Sequence, residues 1–211
     1  MMTFNVLGTP VRPDLVKAMR REWRRLATPG TWWSGDERVA IARVTRDAQA
    51  AAPGASDALP DVAAEAARRL AVAPASTTKD TVARQPAAGL DHPPYVELVG
   101  VASRLAAIDA IHRGLGADLE PLPDPEPGRA TRTPPPRQAT AGRAFVPMVG
   151  GASIAGALSL VPMEMEAQRD IHGPLYLSYE DMALFDYQGG LHRTQMELVA
   201  ARTSAVNKCF Y

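Results

Sequence analysis

The chain has 211 residues and a mass of 22.6 kDa, room for one large domain or two small ones. Its 23 basic and 23 acidic residues cancel, so no net field draws it to nucleic acid or an anionic membrane. Aromatic residues make up only 6%, which argues against an all-β fold, and the lone Cys209 excludes an internal disulfide framework and any multi-cysteine zinc site.

The start, Met1-Met2-Thr3-Phe4-Asn5, has neither a basic region nor a long apolar one, so the expected compartment is the cytoplasm. Pro13 suits a first helical position, and Leu15, Met19, Trp23 and Leu26 follow at helical spacing up to Thr28-Pro29-Gly30. Ser34-Gly35-Asp36-Glu37 reads as a capping box opening a second helix, which runs through Val39–Ala51 to Pro53-Gly54. A third, rich in alanine, spans Pro60 to Val72, with its acidic residues early and Arg68-Arg69 late, as the helix dipole favours. After a polar connector, Asp91-His92-Pro93-Pro94 opens a longer helix. Its buried stripe is Val96, Val99, Leu105, Ile108 and Ile111, and it ends at Gly114 or Gly116.

Composition then changes abruptly. Residues 121–136 hold seven of the 19 prolines, a run that cannot propagate helix and tends to polyproline II. This predicts a semi-rigid linker over 121–143, between a helical half at 1–120 and a second at 144–211. The uncharged stretch Ala144–Met163 is long enough to span a bilayer, but Pro147, Gly150, Gly151, Gly156 and Pro162 interrupt it. It reads as buried in the fold, not as a membrane segment. Three helices follow: Met163–Ile171, stopped by Gly173-Pro174; one capped by Ser178 and running through Tyr187; and one from His192 to Val206. The last carries Leu191, Leu198, Val199, Ala205 and Val206 on one face.

The chain then presents Cys209-Phe210-Tyr211 in place of the small polar residues usual at a terminus. Eleven residues separate Glu197 from Cys209. With that spacing, the stretch Leu191–Tyr211, and Ser204–Tyr211 most closely, resembles the alkylhydroperoxidase D-like branch of the carboxymuconolactone decarboxylase superfamily. The family pattern is Glu, eleven residues, Cys-x-x-Cys, three residues, His. Residues 31–122 also resemble a carboxymuconolactone decarboxylase-like half, through Thr31-Trp32-Trp33-Ser34-Gly35-Asp36-Glu37-Arg38 and Tyr95-Val96-Glu97-Leu98-Val99-Gly100.

The resemblance implies an all-α protein of two such helical halves, the second cut short after the first cysteine of its redox pair. It implies that Cys209 is the resolving or proton-donating thiol and Glu197 a member of the proton relay. The attacking second thiol would fall at position 212 and the relay histidine at 216. An antiparallel following helix would bring position 216 almost level with Glu197, which lies about 13 Å before the helix end. The attacking position is the one that gains most from selenocysteine, so a UGA codon read as selenocysteine is one explanation for the break; a fragment and a protein that has lost the activity are the others. In the first half, Glu37 echoes Glu197 and Gln49 stands where the second half has Cys209.

The function implied is a thiol- or selenol-dependent peroxidase reducing hydroperoxides without metal or flavin. Its electron donor would be a dithiol protein of lipoyl or thioredoxin type, and the family implies a homo-oligomer. The 211 residues alone are expected to be inactive. Two alternatives stand beside this reading: a carboxymuconolactone decarboxylase-type acid–base enzyme indifferent to Cys209, and a non-catalytic oligomeric interaction protein.

The other candidates carry less. His92, His112, His172 and His192 show no paired metal-ligand spacing. Gly150-Gly151-Ala152-Ser153 lacks the ending of a phosphate loop. Arg20, Arg21, Arg24 and Arg25 read as a solvated or interface face, not a nucleic-acid surface. Trp32-Trp33 reads as core or subunit contact. Glu197 could equally be a solvated mid-helix glutamate paired with Arg193 four residues earlier.

Overall fold

The structure is a computed structural model that describes residues 5–6, 9–52, 57–142, 144–151 and 156–208. The fold is all-α. Among the described residues the one sheet is an antiparallel pair of two-residue strands, β1 (Asn5–Val6) and β2 (Thr9–Pro10). Eight α-helices follow among the described residues: α1 (Pro13–Ala27), α2 (Gly35–Gln49), α3 (Asp61–Val72), α4 (Lys79–Arg84), α5 (His92–Gly114), α6 (Pro162–Leu175), α7 (Tyr179–Met182) and α8 (Arg193–Val206). The chain divides into two compact units, Met1–Ile171 and His172–Tyr211.

In the first unit the starts fall where the capping residues put them. Ser34 accepts from the Glu37 N–H while the Glu37 carboxylate accepts from the Ser34 N–H, a complete capping box on α2. The central helix is α5. It buries Val96, Leu98, Val101, Leu105 and Ile108, with Tyr95, Ala102, Asp109 and His112 as well, so it is covered on most of its surface rather than along one stripe. Of the five expected stripe residues, Val99 and Ile111 are only half-buried. Around α5 lie α2, buried through Ala40, Ile41 and Val44, and α3, whose Ala63 and Ala67 allow close approach. The expected polar connector contains α4, which Thr78 caps by accepting from the Thr81 N–H. Val82 buries it.

Residues 121–136 form neither helix nor strand, as their prolines favour, and they are laid onto the first unit. The non-proline residues still have N–H groups to place, and three find carbonyls around the α1–α2 connection. Glu126 donates to Ala27 (2.9 Å), Thr131 to Gly30 (3.0 Å) and Arg132 to Thr31 (2.8 Å). The Trp23 indole N–H donates to the Pro121 carbonyl, and the Arg132 guanidinium lies 5.5 Å above the Trp32 ring. The run is therefore a strap, and it lies within the first compact unit, which continues to Ile171. From the stretch after it, Val146, Leu158, Leu160 and Val161 join the core of the first unit. No helix among the described residues is long and apolar enough to cross a membrane.

α6 runs one turn past its expected stop, carrying Pro174 within its last turn, where the missing N–H removes a single helical bond. In the second unit the helix expected from Ser178 through Tyr187 is one turn, α7. Ser178 caps it through the Asp181 N–H, but Leu184 and Phe185 beyond it are exposed, so no packing face propagates the helix. α8 starts behind a box built by His192 and Gln195. Its half-buried residues, Arg193, Met196, Ala200 and Ser204, follow helical spacing on one side. The opposite side shows Leu191, Leu198, Val199 and Val206 to solvent, between 53% and 73% exposed.

Candidate functional site

Two groupings of charged side chains stand out, one in each unit. In the second unit, Glu197 sits one turn into α8 with its side chain about half exposed. Its Oε1 accepts two hydrogen bonds, from the Tyr176 hydroxyl and from Arg193 Nε, each at 2.7 Å. The Tyr176 hydrogen bond, and then the Arg193 guanidinium, hold the Glu197 carboxyl below the ordinary glutamate range. Tyr176 moves the other way. Partial burial, and then the hydrogen bond to Glu197, push its phenol above the usual value. Arg193 also donates to the Met182 carbonyl at 3.1 Å, which ties the start of α8 to the end of α7. The His172 ring meets the Tyr176 ring edge-on, with centroids 5.9 Å apart. The Arg193 pair expected from the spacing is present, and Tyr176, directly after α6, is the partner that sequence reasoning missed. A contact across 21 positions leaves no periodic signal.

Cys209, the other expected site residue, lies outside the described residues, as do Ala152 and Ser153. Glu37, the counterpart of Glu197 in the first half, is occupied in the α2 capping box. Gln49 accepts a surface hydrogen bond from Arg113 at 3.2 Å.

The second grouping is buried where α1, α2, α5 and α6 meet. Arg38 of α2 pairs with Glu97 of α5 and, at 3.0 Å, with Glu164 of α6. Arg104 of α5 pairs with the other oxygen of Glu164 and, at 2.5 Å, with Glu22 of α1. All five side chains are between 0% and 7% exposed, so the network is sealed from any solute. Two further hydrogen bonds fill the network locally, while Glu22 Oε2 is buried without one among the described residues, 3.5 Å from the Arg25 guanidinium. The Trp32 N–H donates to Glu97 Oε2 at 2.6 Å, and Arg38 Nε donates to the Arg25 carbonyl at 3.1 Å.

Electrostatics differ across the network. Burial pushes Glu97 above the ordinary glutamate range, against the pull of Arg38. Burial acts on Glu164 too, but Arg104 and Arg38 together outweigh it and hold that carboxyl low. Burial alone would lower Arg104, yet Glu164 and Glu22 raise it, so it stays a cation. Glu97 meets one guanidinium, Arg38, whereas Glu164 meets two and Glu22 has Arg104 with Arg25 at 3.5 Å, so Glu97 is the least compensated.

Two glycines make room for this arrangement. A Cβ on Gly100 would fall on the Glu164 carboxylate and the Arg104 guanidinium, and one on Gly30 would fall on Glu97 and Arg38. The sequence carried a signal of it: Glu97, Gly100 and Arg104 share one face of α5, polar or small within an otherwise apolar helix. An outer tier extends it, with Arg21 and Arg25 of α1 both donating to Asp170 of α6. Among the described residues, no group of three or more His, Cys, Asp or Glu is arranged to hold a metal ion.

No family model, curated protein or solved structure matches this chain. The reading of its function rests on the residues themselves. Sealed and paired, the Arg38–Glu97–Arg104–Glu164–Glu22 network can hold four helices together but cannot meet a substrate. Glu197, ionised and half exposed, can exchange protons.

Proposed function

We propose that the second unit carries one side of a thiol-based hydroperoxide reductase, with Glu197 in its proton relay and Cys209 as the resolving thiol. The observation that carries this reading is an ionised, anchored, half-exposed Glu197 standing eleven residues before the chain's lone cysteine. In the proposed cycle a thiolate or selenolate three residues beyond Cys209 attacks one peroxide oxygen. The O–O bond breaks, the alcohol leaves with a proton, and a sulfenic or selenenic acid remains. The Cys209 thiolate then displaces hydroxide, which leaves as water, and forms a disulfide or selenylsulfide. A dithiol donor reduces that bond with two electrons and becomes a disulfide itself.

The coding sequence after the Tyr211 codon is the first test. A UGA followed by an open frame with histidine four codons later supports the reading; a UAA or UAG with no such frame overturns it. Protein chemistry supplies the second. With tert-butyl hydroperoxide and dihydrolipoate, the 211-residue chain is expected to show no turnover. A chain extended to place cysteine at position 212 and histidine at 216 is expected to turn over, and to lose that activity with Cys209→Ser. An extended chain that stays inactive, or one indifferent to Cys209→Ser, overturns the proposal.

A non-catalytic assembly role is the second reading, and the exposed stripe Leu191, Leu198, Val199 and Val206 favours it. It predicts a stable oligomer that Leu198→Lys dissociates while peroxide reduction stays absent from the extended chain.

A further inference from the structure

We propose that Tyr176 is a positioning residue for Glu197, setting the pH range over which that carboxylate serves the Cys209 thiol. This rests on the reductase reading above.

Tyr176 and Arg193 both donate to the same oxygen, Glu197 Oε1, each at 2.7 Å. Oε2 takes no hydrogen bond from the described residues, so one lone-pair edge is fixed and the other is left for proton exchange. Two side chains converge on this carboxyl group, one from its own helix and one from the segment after α6. Arg193 is on its own helix, one turn earlier, and is itself fixed by the Met182 carbonyl at the end of α7. Tyr176 follows directly on α6, and His172, one turn earlier in that helix, holds its ring edge-on. His172 Nδ1 in turn is 3.0 Å from the Leu177 carbonyl and donates to it. Among the described residues, the charged and titratable groups facing Glu197 are thus Arg193 and Tyr176, with His172 behind the phenol.

The division of labour follows from chemistry. Arg193 is a cation over the whole working range and contributes a constant field. Tyr176 contributes a neutral donor whose hydrogen bond strengthens when Glu197 is ionised and weakens when it is protonated. Removing the hydroxyl therefore raises the proton affinity of Glu197 while leaving the ring and its contact with His172 in place. A simple packing role for Tyr176 would survive replacement by phenylalanine unchanged.

The test follows the reactivity of Cys209 against pH with 4,4′-dithiodipyridine, which reacts with thiols in acid, in the full 211-residue chain. The wild type is expected to show an inflection below the ordinary glutamate range. Glu197→Gln removes it. Tyr176→Phe moves it upward by about half to one pH unit, a threefold to tenfold change in proton affinity on the scale of one hydrogen bond. As an independent check, the Tyr176 phenol in isotope-labelled protein titrates above the ordinary tyrosine value in the wild type and returns toward it in Glu197→Gln. If Glu197→Gln moves the thiol profile and Tyr176→Phe does not, the inference falls and the reductase reading stands. If neither variant moves it, the inference falls, and the reductase reading is decided separately by turnover of the extended chain. Movement with Tyr176→Phe alone also overturns the inference, because Tyr176 must act through Glu197.

Discussion

Asp170 receives two guanidiniums, Arg21 on both of its oxygens and Arg25 on one, at 2.7 to 2.9 Å. The Arg21 hydrogen bonds first, and Arg25 after them, hold this carboxyl below the ordinary aspartate range. A group depressed in the folded state stabilises the fold above its unfolded pKa and stops doing so as pH falls through its folded one. Asp170 side-chain exposure of 32% limits the gain through solvent screening to about 1 kcal/mol. Asp170→Asn is therefore expected to lower unfolding free energy by about that much at pH 7. The difference between the two proteins should vanish in acid, below the ordinary aspartate range. Urea unfolding at a series of pH values checks it, and a difference that persists in acid would sink the account. At this scale a short local pattern is readable in advance, as with Ser34 and Glu37 in their capping box. Asp170 is not, because its partners lie 145 and 149 positions away.

Among the helices, the periodic apolar segments α1, α2, α3, α5 and α8 were legible to within a few residues, since each combines a start signal with helical spacing. The misses have separate causes. α4 is six residues long, too short for periodicity to register, and depends on the Thr78 cap and buried Val82. α7 has the right start, but Leu184 and Phe185 beyond it are exposed, and capping alone does not extend a helix. α5 hid its charges: Glu97, Arg104 and Asp109 look like a solvated face until α1, α2 and α6 close over them. α8 fits its expected range, yet it carries no fully buried residue and turns its apolar stripe outward. That orientation predicts a contrast in unfolding experiments. Leu105→Ala in α5 should cost about 2–5 kcal/mol, and Leu198→Ala in α8 less than about 0.5 kcal/mol. A large loss with Leu198→Ala would mean that the stripe is covered in solution.

At the level of the whole molecule, the proline run carries no helix, as its composition requires, but its role was not readable from composition. Seven prolines report that helix is impossible; they do not report which carbonyls the intervening N–H groups will find. The strap, the core residues Val146, Leu158, Leu160 and Val161, and Glu164 all belong to the first compact unit. A fragment of residues 1–171 should therefore unfold cooperatively on its own. One of residues 1–120 should not, because it loses Glu164 from between Arg38 and Arg104. Circular dichroism and urea titration of the two fragments check this, and a cooperatively folded 1–120 would contradict it.

The sealed ionic network also constrains how the sequence can drift. Its five charges come from four helices, and removing one partner of a buried pair costs about 3–5 kcal/mol, against a total stability of about 5–15 kcal/mol. A single substitution at Glu22, Arg38, Glu97, Arg104 or Glu164 therefore uses up much of the margin. A joint exchange for apolar residues need not. In descendants of this chain the five positions are expected to be inherited as a block, with Gly30 and Gly100 fixed beside them, while residues such as Leu198 vary freely unless something covers them.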